Sequence, residues 1–265
     1  MKELYFKGHK IQAVIFDWSG TLVDSESFAP VQAFITLFKR NGIQITEELV
    51  RESMGLLKKD HLRVLLNNRE IAALWAELHG VPDEKTVQYL HDELEQLMPP
   101  IAKKYARPID GVTDLLEELR VHKIKIGSSS GYNRKTLNEI IPIASSHGLT
   151  VDFSIASDEV PAGRPAPWMI FRNMEALQVY PPSSVIRIGD TVQDVWEARN
   201  AGVWAFSLLE NSNELRLAKK QYRNSSVAEA IHSDEAREQA IFKYQVAGTH
   251  IILQRVTEFF KWVQG

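Results

Sequence analysis

The chain has 265 residues, of which 44% are hydrophobic and 25% are charged. This is an ordinary globular composition, and a chain of this length buries a continuous core, so intrinsic disorder and small disulfide-stapled folds are excluded. The 31 basic and 34 acidic residues give a net charge of −3, so we expect no general electrostatic attraction for nucleic acid.

Short β-rich runs alternate with helix-period stretches along the chain. We predict strands over Ala13–Phe16, Lys123–Gly127, Phe153–Ala156, Val185–Gly189 and Trp204–Leu209, with an edge strand over His250–Leu253. A terminal helix should place Val256, Phe259, Phe260 and Val263 on one face. Because strands joined by crossover helices pair in parallel, the pattern predicts an α/β fold with a doubly wound, Rossmann-like parallel sheet.

A long interval between the first and second strands has a helical pattern throughout. We predict helices near Ala29–Arg40, Glu47–Met54, Lys58–Asn67, Arg69–His79 and Asp83–Met98. Pro99 and Pro100 should end the last of them, because proline breaks a helix interior. The sequence therefore predicts a helical domain over residues 25–107, inserted into a core formed by residues 1–24 and 108–265.

Three carboxylates are predicted to meet at the carboxyl edge of the sheet. Asp17 and Asp190 each follow a central strand, and Asp194 lies one helical turn beyond Asp190. Crowded carboxylates repel one another unless a cation lies among them, and hard oxygen ligands suit Mg²⁺. Asp190 and Asp194 taken alone are also typical of a helix N-terminus, but Asp17 has no such role. We therefore favour a Mg²⁺ site.

Four short segments resemble, in order and spacing, the motifs of the haloacid dehalogenase superfamily. They are Asp17–Thr21, Ser130, Arg164 and Gly189–Asp194. The resemblance implies that Asp17 attacks phosphorus to form an aspartyl-phosphate, and that Ser130 and Arg164 bind the transferring group. It also implies that the inserted helices form a cap domain.

The same resemblance implies a set of metal ligands. Asp17 and Asp190 would bind Mg²⁺ through their side chains, Ser19 through its main-chain carbonyl, and Asp194 through water. Most phosphatases of the superfamily have a second aspartate where this chain has Ser19. Because a hydroxyl is a poor general acid near pH 7, we expect ordinary monoester hydrolysis to be slow.

Three further segments resemble the phosphonatase family, whose members hydrolyse the carbon-phosphorus bond of phosphonoacetaldehyde. They are Met54–His61, Ile126–Tyr132 and Val160–Met169, and the similarity extends from Ile11 to beyond Gly202. The resemblance implies that a cap lysine forms a Schiff base with the substrate aldehyde. It selects Lys58, whereas general physical reasoning does not distinguish Lys58 from Lys59.

The phosphonatase resemblance also implies a substrate pocket and an assembly. Met54, Gly55, Ser129 and Tyr132 match substrate-binding positions, and the family forms homodimers. His61 falls on the same helical face as Lys58 and is predicted to shuttle protons. The substrate should be a small organophosphonate.

Arg164 replaces the lysine of many superfamily members, and we interpret it as a bidentate phosphonate clamp that cannot compete with Lys58 for the aldehyde. Other positions depart from the phosphonatase pattern. Ser19 replaces alanine, Leu22 replaces a second threonine, and Ser27 replaces a cysteine that some relatives have. These departures bear on the substrate more than on the reaction class.

Two alternatives stay open from the sequence. The first is a Mg²⁺-dependent phosphatase of the same superfamily that acts on another small phosphorylated metabolite. The second is a serine esterase, because Gly127–Gly131 fits the G-x-S-x-G pattern, with Ser129 followed by Asp190 and His250 in the required order. The esterase hypothesis leaves Asp17, Asp194 and the helical insertion unexplained.

The chain contains no cysteine, which excludes disulfides, thiolate nucleophiles and cysteine-ligated metals. Charged residues interrupt the N-terminal segment before a signal peptide could form, and no apolar run approaches the roughly 18 residues that span a bilayer. We therefore expect a cytoplasmic enzyme that has no membrane or nucleic-acid partner.

Overall fold

A parallel six-stranded sheet forms the centre of the fold in the computed structural model, which describes residues 3–223 and 229–265. The strands are β1 (Tyr5–Phe6), β2 (His9–Lys10), β3 (Ala13–Phe16), β4 (Lys125–Ser130), β5 (Phe153–Ala156), β6 (Val185–Gly189), β7 (Trp204–Leu208) and β8 (Ile251–Leu253). The sheet order is β5-β4-β3-β6-β7-β8, and β1 and β2 form a separate antiparallel pair. The predicted doubly wound α/β architecture is confirmed.

Helices connect the strands and cover both faces of the sheet. They are α1 (Phe28–Arg40), α2 (Glu47–Glu52), α3 (Lys58–Asn67), α4 (Arg69–His79), α5 (Glu84–Ala102), α6 (Val112–Val121), α7 (Arg134–Ser146), α8 (Trp168–Leu177), α9 (Val192–Ala201), α10 (Asn213–Arg223), α11 (Glu229–Ala247) and α12 (Phe259–Trp262). Within these described elements, no helix is both long and apolar enough to cross a bilayer.

Alternation along β3 divides the core into two layers. Val14 and Phe16 pack into one apolar cluster, while Ala13 and Ile15 pack into the other, on the opposite face. All four side chains are fully buried, as expected for a central strand covered on both sides. The central position of β3 brings the residue that follows it, Asp17, to the middle of the carboxyl edge.

Helices α1 to α5 lie between β3 and β4, and we refer to them as the cap. Helix α1 packs along α5, and the cap has an apolar interior that includes Phe34, Leu37, Phe38, Leu90 and Leu94. This interior is continuous with the apolar cluster on one face of the sheet. The domain boundaries given above stay a prediction.

The prediction that Pro99 and Pro100 end their helix is wrong. Helix α5 continues through both prolines to Ala102. Proline removes hydrogen bonds from a helix, but Met98, Ile101 and Ala102 are all buried here. Their packing outweighs the lost hydrogen bonds, which local sequence reasoning does not include.

The second predicted strand was placed too early in the chain. Strand β4 begins at Lys125, because Lys123 has a left-handed φ of 56° at the end of the preceding helix. It then continues through Ser128, Ser129 and Ser130, which pair with β3 or β5. The serine run therefore belongs to the buried strand.

The C-terminal segment follows the prediction with one change. Strand β8 pairs with β7 at the edge of the sheet. The terminal helix is shorter than expected, since Val256–Glu258 form a 3₁₀ turn before α12. Val256, Phe259 and Val263 are buried as predicted.

Candidate active site

Three buried carboxylates meet at the carboxyl edge of the two central strands. Asp17 follows β3 and Asp190 follows β6, and these two strands are paired in parallel. Asp194 lies in the first turn of α9. One oxygen from each carboxylate lies within 4.8 Å of the others, so the three side chains could hold a metal ion.

The Asp190 carboxyl group has no ion-pair partner among the described residues. Asp190 Oδ2 accepts the main-chain N–H of Asn213 at 3.0 Å and the hydroxyl of Ser27 at 3.4 Å. Asp190 Oδ1 accepts the hydroxyl of Thr21 at 3.4 Å. Burial, followed by the charges of Asp17 and Asp194, raises the pKa of Asp190 well above its usual range. A cation bound among the three carboxylates would relieve this repulsion.

Two buried arginines neutralise the other acids. Arg164 pairs with Asp17, lies 3.2 Å from Asp194 Oδ1 through Nη1, and lies 3.3 Å from Glu197 through Nε. Arg187 donates to Asp194 Oδ1 at 2.6 Å and to Glu197 Oε2 at 3.1 Å. Burial opposes ionisation of Asp194, but Arg164 and Arg187 lower its pKa overall. This network fixes Arg164 beside Asp17, where it can bind an anion.

Asp194 differs in its surroundings from the other two acids. Asp194 Oδ2 accepts the hydroxyl of Thr191 at 2.6 Å and the main-chain N–H of Thr191 at 3.1 Å. These bonds belong to a capping box at the start of α9. Both oxygens of Asp194 therefore already have donors. The expected role of Asp194 through water stays a prediction.

Gly20 provides the space in which Asp190 lies. Its φ is +82°, and a Cβ at this position would overlap the Asp190 carboxylate. We expect Gly20→Ala to lower the unfolding temperature far more than Gly202→Ala, whose φ of +72° is similar but whose Cβ would meet no atom closer than 3.8 Å. The control should cost only about 1 kcal/mol of left-handed strain. Equal losses in the two variants, measured by thermal unfolding, would contradict this interpretation.

Ser19 is not placed to act as an acid toward a leaving group. Its hydroxyl donates to Asp24 Oδ2 at 2.6 Å. Asp24 also accepts the N–H groups of Phe28 and Ala29 at 2.9 Å, at the start of α1. Burial raises the pKa of Asp24 to about 6, although these hydrogen bonds oppose the shift. The Ser19 proton is therefore directed toward Asp24.

The cap covers the acids and encloses a cavity. The volume of this cavity that is open to the centre of a water-sized sphere is about 60 Å³. Its lining comprises Asp17, Ser19, Ser27, Pro30, Phe34, Met54, Gly55, Leu56, Lys58, His61, Met98, Ser130, Gly131, Tyr132, Arg164 and Thr191. Most of the predicted substrate and catalytic positions therefore meet there.

Gly55 brings the cap close to the core. A Cβ at Gly55 would lie 2.8 Å from Thr191 Oγ1 and 2.9 Å from Gln193 Cβ. Arg51 makes a second link to the core, because its Nη1 donates to Asn213 Oδ1 at 3.0 Å. In return, Asn213 Nδ2 donates to the main-chain carbonyl of Arg51 at 3.2 Å. The cap is thus in a closed position, and Asn213 connects it to Asp190.

Lys58 reaches the cavity from the first turn of α3. It is buried, with 8% of its surface exposed, and its Nζ lies 5.6 Å from the centre of the Tyr132 ring. Its Nζ also donates to Glu95 Oε1 at 2.6 Å. Burial lowers the pKa of Lys58, and Glu95 opposes the shift. A lysine of lowered pKa is more often neutral and therefore more nucleophilic.

His61 lies on the same face of α3, as predicted, and is packed against Phe34. Its ring centroid is 4.1 Å from that of Phe34, and 2% of its surface is exposed. Its Nε2 has no hydrogen-bond partner within the described residues. Burial lowers the pKa of His61 to about 3, against the opposing effect of a main-chain hydrogen bond with Val50. His61 is therefore a neutral imidazole near pH 7.

The lowered pKa of His61 predicts a pH dependence of stability. The unfolded chain takes up a proton near pH 6.5, whereas the folded chain does so only near pH 3. The stability contributed by neutral His61 is therefore complete above pH 6.5 and lost as the pH falls toward 3. We expect NMR signals of His61, assigned with His61→Gln, to stay those of neutral imidazole at pH 5. A titration midpoint near 6.5 would contradict this prediction.

Ser129 and Ser130 lie at the end of β4 and have different surroundings. Ser130 lines the cavity, and its hydroxyl accepts the main-chain N–H of Tyr132 at 3.0 Å. Ser129 is fully buried, with its Oγ 3.4 Å from Arg164 Nη2. Ser129 therefore contacts the arginine of the site and does not line the cavity itself.

The structure does not show the arrangement of Ser129, Asp190 and His250 that a serine esterase needs. Ser129 lies within a buried strand, so its hydroxyl is not presented at an exposed turn. His250 Nδ1 accepts the N–H of Ala205 at 3.0 Å, and its Nε2 lies 2.9 Å from Arg199. Both ring nitrogens are thus engaged beside β7, and the esterase hypothesis is not supported.

Several residues of the site were missed by the sequence analysis. Arg187 and Glu197 join the acid network, Glu95 pairs with Lys58, and Asn213 contacts Asp190. A charged residue inside the apolar run of β6 could have indicated Arg187. Glu95 and Asn213 have no local signal, because their partners are far away in the sequence.

Comparisons with known proteins agree with this geometry. A family model described as haloacid dehalogenase-like hydrolase matches residues 11–202. The phosphonoacetaldehyde hydrolase of Bacillus cereus (strain AH820) is 43% identical over 221 residues, covering 83% of this chain and 84% of that protein. A bifunctional phosphonoacetaldehyde hydrolase/aminoethylphosphonate transaminase of Clostridioides difficile (strain 630) is 40% identical over 97% of this chain, which spans 40% of that longer protein.

A solved structure has the same fold over nearly the full length. The crystal structure of a phosphonoacetaldehyde hydrolase-like protein from Oleispira antarctica matches with a TM-score of 0.88 and 28% identity. The match covers 98% of this chain and 94% of that one. The chain therefore belongs to the haloacid dehalogenase-like hydrolases, in the family of the phosphonoacetaldehyde hydrolases.

Proposed function

We propose that this chain cleaves the carbon-phosphorus bond of phosphonoacetaldehyde and releases acetaldehyde and phosphate. The observation that carries the proposal is a single cavity lined by both Asp17 and Lys58. A carboxylate nucleophile and a buried amine suit the two ends of a substrate that has a phosphonate and an aldehyde. The names of the relatives at 40% and 43% identity support the same substrate.

Lys58 acts on the aldehyde end. Its neutral amine attacks the carbonyl carbon, and loss of water leaves a protonated imine between Nζ and that carbon. The imine accepts the electron pair when the carbon-phosphorus bond breaks, which converts it to an enamine. Protonation of the enamine carbon and hydrolysis of the imine then release acetaldehyde. This electron sink replaces the general acid that the chain lacks at Ser19.

Asp17 acts on the phosphonate end. Its carboxylate oxygen attacks phosphorus as the bond to carbon breaks, which gives an aspartyl-phosphate that water hydrolyses. Arg164 lies against Asp17 and is held there by Asp194 and Glu197, so it is placed to bind the phosphonate oxygens.

The acid cluster fits a magnesium ion. Asp17, Asp190 and Asp194 offer hard oxygen ligands, and Asp190 forms no ion pair in the described part of the chain. Asp17, Asp190 and the main-chain carbonyl of Ser19 would hold the ion, with Asp194 acting through water. When bound, Mg²⁺ would neutralise negative charge on the phosphonate and on the attacking carboxylate.

Phosphate release from phosphonoacetaldehyde, with and without Mg²⁺, tests the proposal. We expect phosphate and acetaldehyde in equal amounts, and loss of activity after chelation that added Mg²⁺ restores. Release of phosphate from a sugar phosphate, with none from phosphonoacetaldehyde, would contradict the proposal and favour a phosphatase. The homodimer that the family resemblance implies and the cytoplasmic location expected from the sequence are also part of this proposal.

A further inference from the structure

Glu95 is the carboxylate that contacts the amine of Lys58. It lies on α5, across the cap from α3, and its Oε1 is 2.6 Å from Lys58 Nζ. The side chain of Glu95 is 18% exposed and that of Lys58 is 9% exposed. Lys58 lines the cavity, and its pair with Glu95 is partly shielded from solvent.

The other groups around Lys58 are poor proton acceptors. Burial lowers the pKa of His61 to about 3, so its imidazole is a weak base that does not take up a proton near pH 7. Burial raises the pKa of the Tyr132 hydroxyl well above its usual range, so Tyr132 stays protonated. Asp17 is paired with Arg164. Asp158 acts on Lys58 through its charge, with no hydrogen bond between them among the described contacts.

Glu95 itself faces two titratable groups. Lys58 approaches from α3, and His91 on its own helix lies 3.9 Å away through Nε2. His91 also lies 3.5 Å from Asp92 through Nδ1. A carboxylate with one close hydrogen-bonded partner and partial access to solvent can exchange protons with both the amine and water.

We propose that Glu95 is the general base and general acid for imine formation at Lys58. The inference rests on the proposed function and adds a catalytic residue to it. The Lys58 ammonium gives a proton to the Glu95 carboxylate, and the neutral amine adds to the aldehyde carbon. A proton then moves from the added nitrogen to the alkoxide oxygen, which gives the neutral carbinolamine. Glu95 returns its proton to the carbinolamine hydroxyl, and the bond between carbon and that oxygen breaks to release water. The products are the protonated imine and water, with Glu95 ionised again.

If the Lys58–Glu95 pair takes no part in proton transfer, Glu95→Gln should have the opposite effect on imine formation. If Glu95 only holds Lys58 protonated, Glu95→Gln removes a charge that raises the pKa of Lys58. The amine would then be neutral more often, and imine formation near pH 7 would be faster. If Glu95 transfers the proton, Glu95→Gln should slow imine formation by about a hundredfold or more.

Borohydride trapping with phosphonoacetaldehyde separates these results. The rate at which substrate-derived mass becomes fixed on the Lys58 peptide is measured for the wild type, Glu95→Gln and Glu95→Asp. Glu84→Gln is the matched control, since Glu84 lies on the same helix but pairs with Arg63 at the surface. We expect slow trapping in Glu95→Gln, substantial recovery in Glu95→Asp, and a wild-type rate in Glu84→Gln.

The outcomes distinguish this inference from the proposed function. No adduct at Lys58 in the wild type would overturn the proposed Schiff base itself. An adduct in the wild type that forms equally fast or faster in Glu95→Gln would overturn the role of Glu95 alone. Because Glu95→Ala leaves space at the carboxylate, added formate should restore its trapping rate if the lost function is proton transfer. Failure of formate to accelerate trapping in a folded Glu95→Ala variant would also count against the inference.

Discussion

Asp17→Asn should lower phosphate release from phosphonoacetaldehyde by at least about a thousandfold, because an amide is not a nucleophile toward phosphorus. The same substitution should leave the fold intact or make it more stable. Burial and the charge of Asp194 disfavour ionisation of Asp17, although Arg164 opposes them, and a neutral amide of the same size removes that repulsion. Activity and stability are therefore expected to change in opposite directions.

Phosphate release and thermal unfolding measure the two effects on the same samples. Asp114→Asn is a suitable control, since Asp114 is exposed on α6, on the surface of the core. It should change neither quantity appreciably. Turnover in Asp17→Asn close to that of the wild type would exclude Asp17 as the nucleophile. A large loss of stability would show that the ion pair with Arg164 outweighs the repulsion among the carboxylates.

The sheet and the acid triad could be predicted from the sequence because their signals are local. Each strand is a short apolar run, and Asp17 and Asp190 come directly after two such runs. Parallel strands end at one edge, so adjacency in the sheet is enough to bring the two carboxylates together. The observed pairing of β3 with β6 meets that requirement.

The errors and omissions come from long-range contacts. The end of α5 depends on what Met98 and Ile101 pack against, and local propensity at Pro99 does not reveal it. Lys58 and Glu95 lie 37 residues apart along the chain, and their pair joins two different helices. No sequence pattern links Lys58 to Glu95, so only the folded cap shows that they meet.

Lys58→Arg should lose nearly all turnover of phosphonoacetaldehyde while keeping any slow phosphatase activity that Asp17 supports. The guanidinium keeps the positive charge, but it stays protonated at neutral pH and forms no imine. The charge pair with Glu95 can persist, so the cap should still close over the site. We expect a loss of at least about a thousandfold, as for removal of other covalent nucleophiles.

Lys59→Arg is the matched control, because Lys59 is the next residue on α3 and its Nζ donates to Gln88 at 2.7 Å, away from Glu95. Its turnover should equal that of the wild type. Borohydride with phosphonoacetaldehyde should fix substrate on the wild type and on Lys59→Arg, and leave Lys58→Arg unlabelled. Labelling that disappears in Lys59→Arg would assign the imine to Lys59. Wild-type turnover in Lys58→Arg would exclude a Schiff base at Lys58, and the carbon-phosphorus bond would then need another electron sink.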